Sequence, residues 1–546
     1  MSVRFPAATL PEALHATAER DSGEMVFHTE ESPVRLSSAE LAERATRAAH
    51  RLAALGVEPG DSVGVLGPNR PEWVVWAFGT WLAGAVLVPV QIPLRVRDPG
   101  AFATQIRSLV RAARCRRVIA EPGLASFAPD DVVVPWREEG PESAGEPPLP
   151  SAEQEAVIQF TSGSTAAPKG ALLSHAAVMA QMDILEPTLT RDGAPRTTLS
   201  WTPYFHDLGL FDNVIPASVW GLTSHHLPTE RFAKDPGEWL RLLHSTGVTV
   251  TVAPSSAFGS AVRAVARRSE RIDLSRLEIA WFAAEGVDPK VAERILREAE
   301  RFRLPPEALG SSYGLAEAAL AVSFPRPGEG MHVDRVGLDE LIRSGVAAPA
   351  RRGPTRVVVS GGRPAAGVEL RIIGPQGDLP ERHVGEVTLR SASLMRGYVG
   401  RDHPDPIVDG WLHTGDLGYL ADGELYITGR AKDMVIVMGH NYYPEDFEWA
   451  AGRVEGVRPG RCVAFAREGT EEVILLVEPS GEVELDDLAR EVARAVSNAV
   501  GVGPAEVVVL PRGTVEKTTS GKLRRAAMRE AHSTGALQAL SGAVPR

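Results

Sequence analysis

Thr161-Ser162-Gly163-Ser164-Thr165-Ala166-Ala167-Pro168-Lys169-Gly170 follows a short apolar run, Ala156-Val157-Ile158-Gln159-Phe160, that reads as a buried strand. The run puts the hydroxyls and glycines just past a strand's carboxyl end, where open α/β sheets bind ligands. Ser, Thr and Gly leave backbone N–H groups free to converge on an anion, and Lys169 adds a cation, so the stretch reads as a phosphate-cradling loop. Pro168 ahead of the lysine excludes the loop in which Gly-Lys-Ser/Thr opens a helix. A solvated polar linker is the plain alternative, and the flanking strand argues against it.

Toward the N-terminus, helices and strands alternate. Ser37-Ser38-Ala39-Glu40 has the pattern of a capping box, and Leu41, Ala45, Ala48, Ala49 and Leu52 share one face of the helix it would start. Gly56 and Pro59-Gly60 stop that helix, and Val63-Gly64-Val65-Leu66 reads as the next strand. Trp73 to Leu94 carries no charge and is long enough to span a bilayer. Gly79, Thr80, Gly84, Pro89, Gln91 and Pro93 interrupt it and Pro71 is placed to start a helix, so it reads as a buried helix followed by a buried strand, Val86-Leu87-Val88. Alternation through Ala120 implies a mostly parallel sheet. Six of the twelve residues from Glu139 to Pro150 are Gly or Pro, a loop ahead of the phosphate-loop strand.

Toward the C-terminus, Ser174 is placed to cap a helix through Leu185, and Ser200-Trp201-Thr202-Pro203-Tyr204-Phe205-His206-Asp207 ends a strand in an aromatic, polar turn. Strands are expected at 248–252 and 277–282. Residues 325–355, rich in Pro, Gly and Arg, read as an insertion, and strands are expected at 356–360, 368–373 and 386–390. From about Arg430 the chain has its own pattern, with a strand over 473–477 and an amphipathic helix from Leu485 to Val500, long enough for a separate small domain. The expected fold class is α/β. A large N-terminal domain of parallel α/β sheets covers 1–429, with a β-rich subdomain at about 356–429; a hinge at 430–433 and a small mobile α+β domain at 434–546 follow.

Composition narrows the function. The 546 residues are too many for one core, and 44% hydrophobic with 23% charged is ordinary for a soluble globular protein. Lys and Arg number 58 against 70 Asp and Glu, a net charge of -12, which argues against a nucleic-acid protein held by phosphate contacts. Two distant cysteines, Cys115 and Cys462, suit a reducing compartment and exclude a disulfide framework or zinc site. No signal peptide or transmembrane segment is expected, and the location read is cytoplasmic.

Four further motifs carry possible chemistry. Ser312-Tyr313-Gly314-Leu315-Ala316-Glu317 offers a ring that could stack on a base and a carboxylate that could hold Mg²⁺ on a triphosphate; a core tyrosine and a capping glutamate is the plain alternative. In Trp411-Leu412-His413-Thr414-Gly415-Asp416-Leu417-Gly418, Asp416 could take two ribose hydroxyls or make an Asx turn. Gly429-Arg430-Ala431-Lys432-Asp433 lies where a hinge would be placed, and Lys522 in Thr518-Thr519-Ser520-Gly521-Lys522-Leu523-Arg524-Arg525 follows a glycine turn near the C-terminus. His225-His226 reads as a surface pair, and Arg512, Arg524 and Arg525 as a solvated basic tail.

Together, in this order and spacing, the motifs resemble the adenylate-forming superfamily of acyl-CoA synthetases, luciferases and peptide-synthetase adenylation domains, from the Ser37 helix to Arg525. Tyr204-Phe205-His206-Asp207-Leu208-Gly209-Leu210, Tyr313-Gly314-Leu315-Ala316-Glu317-Ala318-Ala319-Leu320 and Gly439-His440-Asn441-Tyr442-Tyr443-Pro444-Glu445-Asp446 look most like the fatty acyl-AMP ligases. The 325–355 segment sits where that group carries an insertion associated with disfavouring CoA. The resemblance implies ATP-dependent activation of a carboxylic acid, fatty or related, to an acyl adenylate with release of pyrophosphate. The acyl group would then pass to the phosphopantetheine thiol of an acyl carrier protein. It implies ATP and Mg²⁺ as cofactors.

By the same resemblance, Thr161, Ser162, Gly163, Ser164 and Thr165 would hold the β- and γ-phosphates, with Lys169 nearby. Ala284, Glu285, Ser312, Tyr313 and Gly314 would line the adenine, Asp416 and Arg430 would hold the ribose, and Glu317 would help place Mg²⁺. Lys432 would be the hinge. Lys522 and His206 would act at the reacting carboxylate, with Asp207, Phe211, Asp212 and Asn213 around the acyl pocket. Asp212-Asn213 stands where these ligases commonly have Gly-Gly, and Trp220 where a smaller residue is usual. Two polar side chains and an indole would shorten an acyl tunnel or demand a hydrogen-bonding substrate. An acyl-CoA ligase, or a weakly active member serving as a binding partner, are the alternative readings.

Overall fold

Ser37 starts its helix as the sequence predicts: its hydroxyl accepts the Glu40 N–H at 3.1 Å, and the helix Ser38–Ala54 buries Leu41, Ala45, Ala48, Ala49 and Leu52. The structure is a computed structural model that describes residues 7–93, 98–137, 149–160, 169–268, 270–399, 404–518 and 521–543.

Two mixed sheets form the larger part. In the first, Val133–Pro135, Cys115–Ala120, Ser62–Leu66, Val86–Pro89 and Glu155–Phe160 run parallel in that spatial order, and Gly170–Ser174 closes the edge antiparallel. Phe160 pairs with Gly170, so the serine- and glycine-rich loop joins two antiparallel neighbours, and its closing strand is one the sequence reading lacked. The helix His175–Leu189 starts only after that strand, with the Ser174 hydroxyl accepting the Ala177 N–H at 3.2 Å. The second sheet is parallel through Leu309–Ser311, Ile279–Phe282, Val250–Ala253, Thr198–Ser200, Thr223–His226 and Glu24–Phe27, with Val34–Ser37 antiparallel at the edge. One apolar core reaches both sheets and the helices beside them, among them Pro71–Leu82, whose Trp73, Trp76 and Trp81 are fully buried. From Trp73 on, this helix and the strand Val86–Pro89 make up most of the uncharged segment. Among the described residues no helix is long and apolar enough to cross a membrane.

A β-rich sheet follows, built on Glu369–Gly374, Gly385–Arg390, Trp411–Ala421 and Glu424–Arg430. The strand Val333–Gly337 of the 325–355 segment pairs antiparallel with Thr355–Val359, which follows it, and the helix Leu338–Ser344 lies between them in sequence. Val336, Leu341 and Val358 pack there with Tyr419, Tyr426 and Tyr443. The C-terminal part has its own sheet, Val457–Ala466, Val473–Pro479, Glu506–Val509 and Ser541–Ala543, and its own core under the helix Leu485–Val500. The whole is an α/β fold with a large N-terminal and a small C-terminal part.

Two outlying readings change. His226 is 1% exposed, not on the surface: its ring reaches Tyr204 Oη at 2.7 Å, Asn213 Nδ2 at 3.0 Å and Ser224 Oγ at 2.7 Å. His225 is half-buried against His28, 3.0 Å away. Arg525 is no solvated tail residue either, since it pairs with Glu445 and Glu448 at 2.8 Å and Asp433 at 3.3 Å. These acidic partners raise its pKa although burial opposes them.

Candidate active site

The carboxyl ends of Thr198–Ser200, Val250–Ala253, Ile279–Phe282 and Leu309–Ser311 in the second sheet, with that of Glu155–Phe160 in the first, face one cleft of about 1340 Å³. Phe282, Ser311 and Ser200 end their strands, so Ala284, Glu285, Ser312 and His206, a few residues on, fall at the cleft, where open α/β sheets bind ligands. Gln159, on the strand before the serine- and glycine-rich loop, donates from Nε2 to the Phe205 carbonyl at 2.9 Å and ties the His206 turn to the first sheet.

Ala284 has φ +68°, a left-handed conformation that costs a non-glycine residue about 1–2 kcal/mol. Next to it, Glu285 Oε1 accepts the Ser255 hydroxyl at 3.0 Å and the Ser256 N–H at 2.8 Å, so this turn is fixed from a neighbouring strand end. Ser312 N–H bonds the Phe282 carbonyl at 2.9 Å. Gly314 has no substitute: a Cβ there would lie 1.9 Å from the Leu320 carbonyl oxygen.

Tyr313 and Asp416 meet in the cleft, the hydroxyl donating to Oδ2 at 2.7 Å, while Arg430 Nε lies 2.9 Å from Oδ1. Burial and the Asp416 charge hold the Tyr313 hydroxyl protonated far above the usual phenol range. Each carboxylate oxygen keeps a lone pair for a further donor. Glu317 is oriented by Tyr398, whose hydroxyl donates to Oε1 at 2.7 Å, and Lys169 Nζ stands 5.2 Å above the Tyr398 ring. Tyr398 was missed by the sequence reading as a site residue. Nothing local marks it; the isolated bridge between Ala171 and Tyr398 brings it in.

His206 Nδ1 lies 2.5 Å from Asp207 Oδ1, which leaves Nε2 as the ring nitrogen for a substrate. Burial alone would raise the Asp207 pKa, but His206 beside it, Lys522 and the Leu208 N–H hold it below the usual carboxylate value. Lys522 enters the cleft from the C-terminal part, on a tight turn in which the Thr518 N–H bonds the Lys522 carbonyl at 2.7 Å. Burial, and then Arg430, lower its pKa. Lys432 and a second lysine absent from the sequence reading, Lys517, line the same cleft and are lowered by burial too.

The structure thus brings together Lys169, His206, Asp207, Asp212, Ala284, Glu285, Ser312, Tyr313, Gly314, Glu317, Asp416, Arg430, Lys432 and Lys522. It does not bring Phe211 or Asn213 to the cleft. Phe211 is fully buried in the core, and Asn213 is turned into the sheet, bonding Thr198 Oγ1 at 3.1 Å and His226. Trp220 likewise packs against the core and not along the cleft. Thr161, Ser162, Gly163, Ser164 and Thr165 lie outside the described residues.

The chain belongs to the AMP-binding enzyme family, which it matches over residues 14–399. It is 35% identical to a Mycobacterium tuberculosis protein described as a putative ligase, over 92% of this chain and 95% of that one. A Caulobacter vibrioides putative acyl-CoA synthetase is 31% identical (97% and 96% covered), and a Mycobacterium marinum long-chain-fatty-acid–AMP ligase is also 31% identical (92% of each). A solved structure from a study of fatty acyl-adenylate ligases of E. coli and L. pneumophila superposes with TM-score 0.91 at 29% identity, covering 98% of this chain and 99% of the other.

Proposed function

We propose that this protein uses ATP to convert a carboxylic acid, fatty or related, to an acyl adenylate, releases pyrophosphate, and passes the acyl group to the phosphopantetheine thiol of an acyl carrier protein. The observation that carries the reading is the meeting of Lys522 with His206, Asp416 and Glu317 around one cleft. In the first step a carboxylate oxygen bonds the α-phosphorus and the bond to pyrophosphate breaks. Two anions approach, so positioned cations and donors lower the barrier. Lys522 supplies the cation at the carboxylate and α-phosphate, and His206 Nε2 orients the acid. The loop from Thr161 to Thr165 with Lys169 grips the leaving pyrophosphate. Ala284, Glu285, Ser312, Tyr313 and Gly314 frame the base, and Asp416 with Arg430 takes the ribose hydroxyls.

Mg²⁺ fits at Glu317. Tyr398 holds one carboxylate oxygen and leaves the other for the ion, which commonly takes one or two carboxylates beside phosphates and water. Among the described residues no cluster of three or more His, Cys, Asp or Glu offers an all-protein site, so the ion would arrive with ATP.

For the second step, Lys432 in the turn Ala431–Asp433 is the hinge between a large domain, 1–429, and a small one, 434–546, and swinging the small domain away opens the mixed anhydride to a thiolate. A carrier protein is favoured over CoA because the helix Leu338–Ser344 of the 325–355 segment packs on the strand His440–Tyr442 of the small part. Cys115 and Cys462, both free and buried, are in keeping with a reducing, cytoplasmic setting. Incubating enzyme, acid and ATP with either holo carrier protein or CoA, and weighing the thioester, tests the acceptor. Acyl carrier protein should form the faster; faster acyl-CoA formation gives the acyl-CoA ligase reading instead.

A further inference from the structure

The cleft wall after His206 is built unusually. Leu210–Val214 is wound as a π-helix between the helices Asp207–Gly209 and Ile215–Trp220. An extra residue in a turn rotates the side chains around it, and such turns recur at functional sites. Here it sorts three neighbours: Phe211 and Asn213 are buried away from the cleft, and Asp212 between them opens onto it. The helix His175–Leu189 packs on the same segment and adds Leu185 and Thr188 to the cleft. Thr188 offers Asp212 no donor, since its hydroxyl is bonded to the Leu185 carbonyl at 2.7 Å. Among the described residues no hydrogen bond or ion pair reaches the Asp212 carboxyl. Burial pushes its pKa up to about 7.

A carboxyl set in such a wall without a partner is costly, and a ligand group that donates to it recovers that cost on binding. We propose that Asp212 selects the acid, and that the preferred substrate carries a hydrogen-bond donor, a hydroxyl or an ammonium, on its chain where it meets the Asp212 carboxyl. This rests on the adenylating reading above and names its substrate class. Asp212 is six residues past His206, between one and two turns on at about 3.6 residues per turn. The donor therefore sits several bonds from the reacting carboxylate and not on the α-carbon. A site built to bond such a group rejects the plain chain, whereas an apolar pocket rejects a hydroxyl only weakly.

The test is calorimetric binding to the full-length protein of acyl-sulfamoyl adenosines, stable mimics of the adenylate. Chains of equal length are plain, hydroxylated or aminated at successive positions, and AMP serves as a reference. At one chain position the hydroxyl or amino compound should bind up to about 10²-fold tighter than the plain one, the factor that leaving one buried acceptor unpaired amounts to. Asp212→Ala should abolish that difference by tightening the plain compound, and Asp212→Asn should keep a hydroxyl preference and lose an amino one. The two arms tell a neutral donor from a cation. Equal binding of plain and substituted chains at every position, with AMP still bound, overturns the role of Asp212 and leaves adenylation standing. Binding of neither AMP nor any mimic overturns both.

Discussion

The Tyr313 hydroxyl donates to Asp416 at 2.7 Å across 103 residues of sequence, with Arg430 on the other carboxylate oxygen. The pair joins the strand ends of the second sheet to the β-rich sheet, where the proposed function puts the ribose. A hydrogen bond to a charged group contributes about 1.5–3 kcal/mol. Tyr313→Phe should therefore raise KM for ATP about 10- to 100-fold with kcat less affected, and Asp416→Ala should raise it further. Initial rates over an ATP series decide; an unchanged KM in both variants would remove the ribose role.

Lys522→Ala should slow adenylation by about 10² to 10³ while leaving the melting temperature nearly unchanged. Because burial and Arg430 lower the Lys522 pKa, its cationic form is lost as pH rises, earlier than for an ordinary lysine. Adenylation should accordingly fall on the alkaline side, and Lys522→Arg should move that fall to higher pH. An alkaline limb identical in wild type and Lys522→Arg would assign it to another group.

Four histidines tie stability to acid. Burial lowers His226 from 6.5 to about 3, and His28, His175 and His225 to about 4. Below 6.5 the unfolded chain takes up protons that the folded one refuses, so their contribution is complete above about 6.5 and is lost as pH falls toward 4. Melting temperatures from pH 8 to 4 should decline through that window, less steeply for His226→Asn. Equal slopes would show that His226 is not the buried neutral ring described.

Asp212 has the opposite sign. Its folded pKa of about 7 lies above the ordinary 3.8, so the folded state binds the extra proton and stability falls as pH rises between those values, remaining low above them. Asp212→Asn should raise the melting temperature at pH 8 and leave it nearly unchanged at pH 4. A variant no more stable than wild type at pH 8 would mean the carboxylate is already compensated.

Much of this was legible because it is local. The Ser37 cap, the buried face from Leu41 to Leu52, the helix Leu485–Val500 and the strand before the serine- and glycine-rich loop all follow from spacing and end signals within a few residues. Long-range pairings were not. Tyr398 meets Glu317 across 81 residues and Arg525 meets Glu448 across 77, and only the assembled topology brings them together. The orientation of Phe211, Asp212 and Asn213 escaped for a subtler reason: a single π-turn decides which of three consecutive residues faces the cleft, and ordinary helical periodicity carries no sign of it. His226 read as exposed because two adjacent histidines look polar, whereas Tyr204 from the turn after Ser200 and Ser224 on its own strand satisfy its ring nitrogens.

The central claim, acid activation by adenylation with Lys522 as the cation, is tested most directly by acid-dependent exchange of labelled pyrophosphate into ATP, across plain, hydroxylated and aminated carboxylic acids, for wild type and Lys522→Ala. Exchange should appear only with acid and Mg²⁺, be strongest for a donor-bearing chain, and drop about 10²- to 10³-fold in the variant. Exchange of equal rate in Lys522→Ala, or none with any acid from a protein that binds ATP, would contradict it.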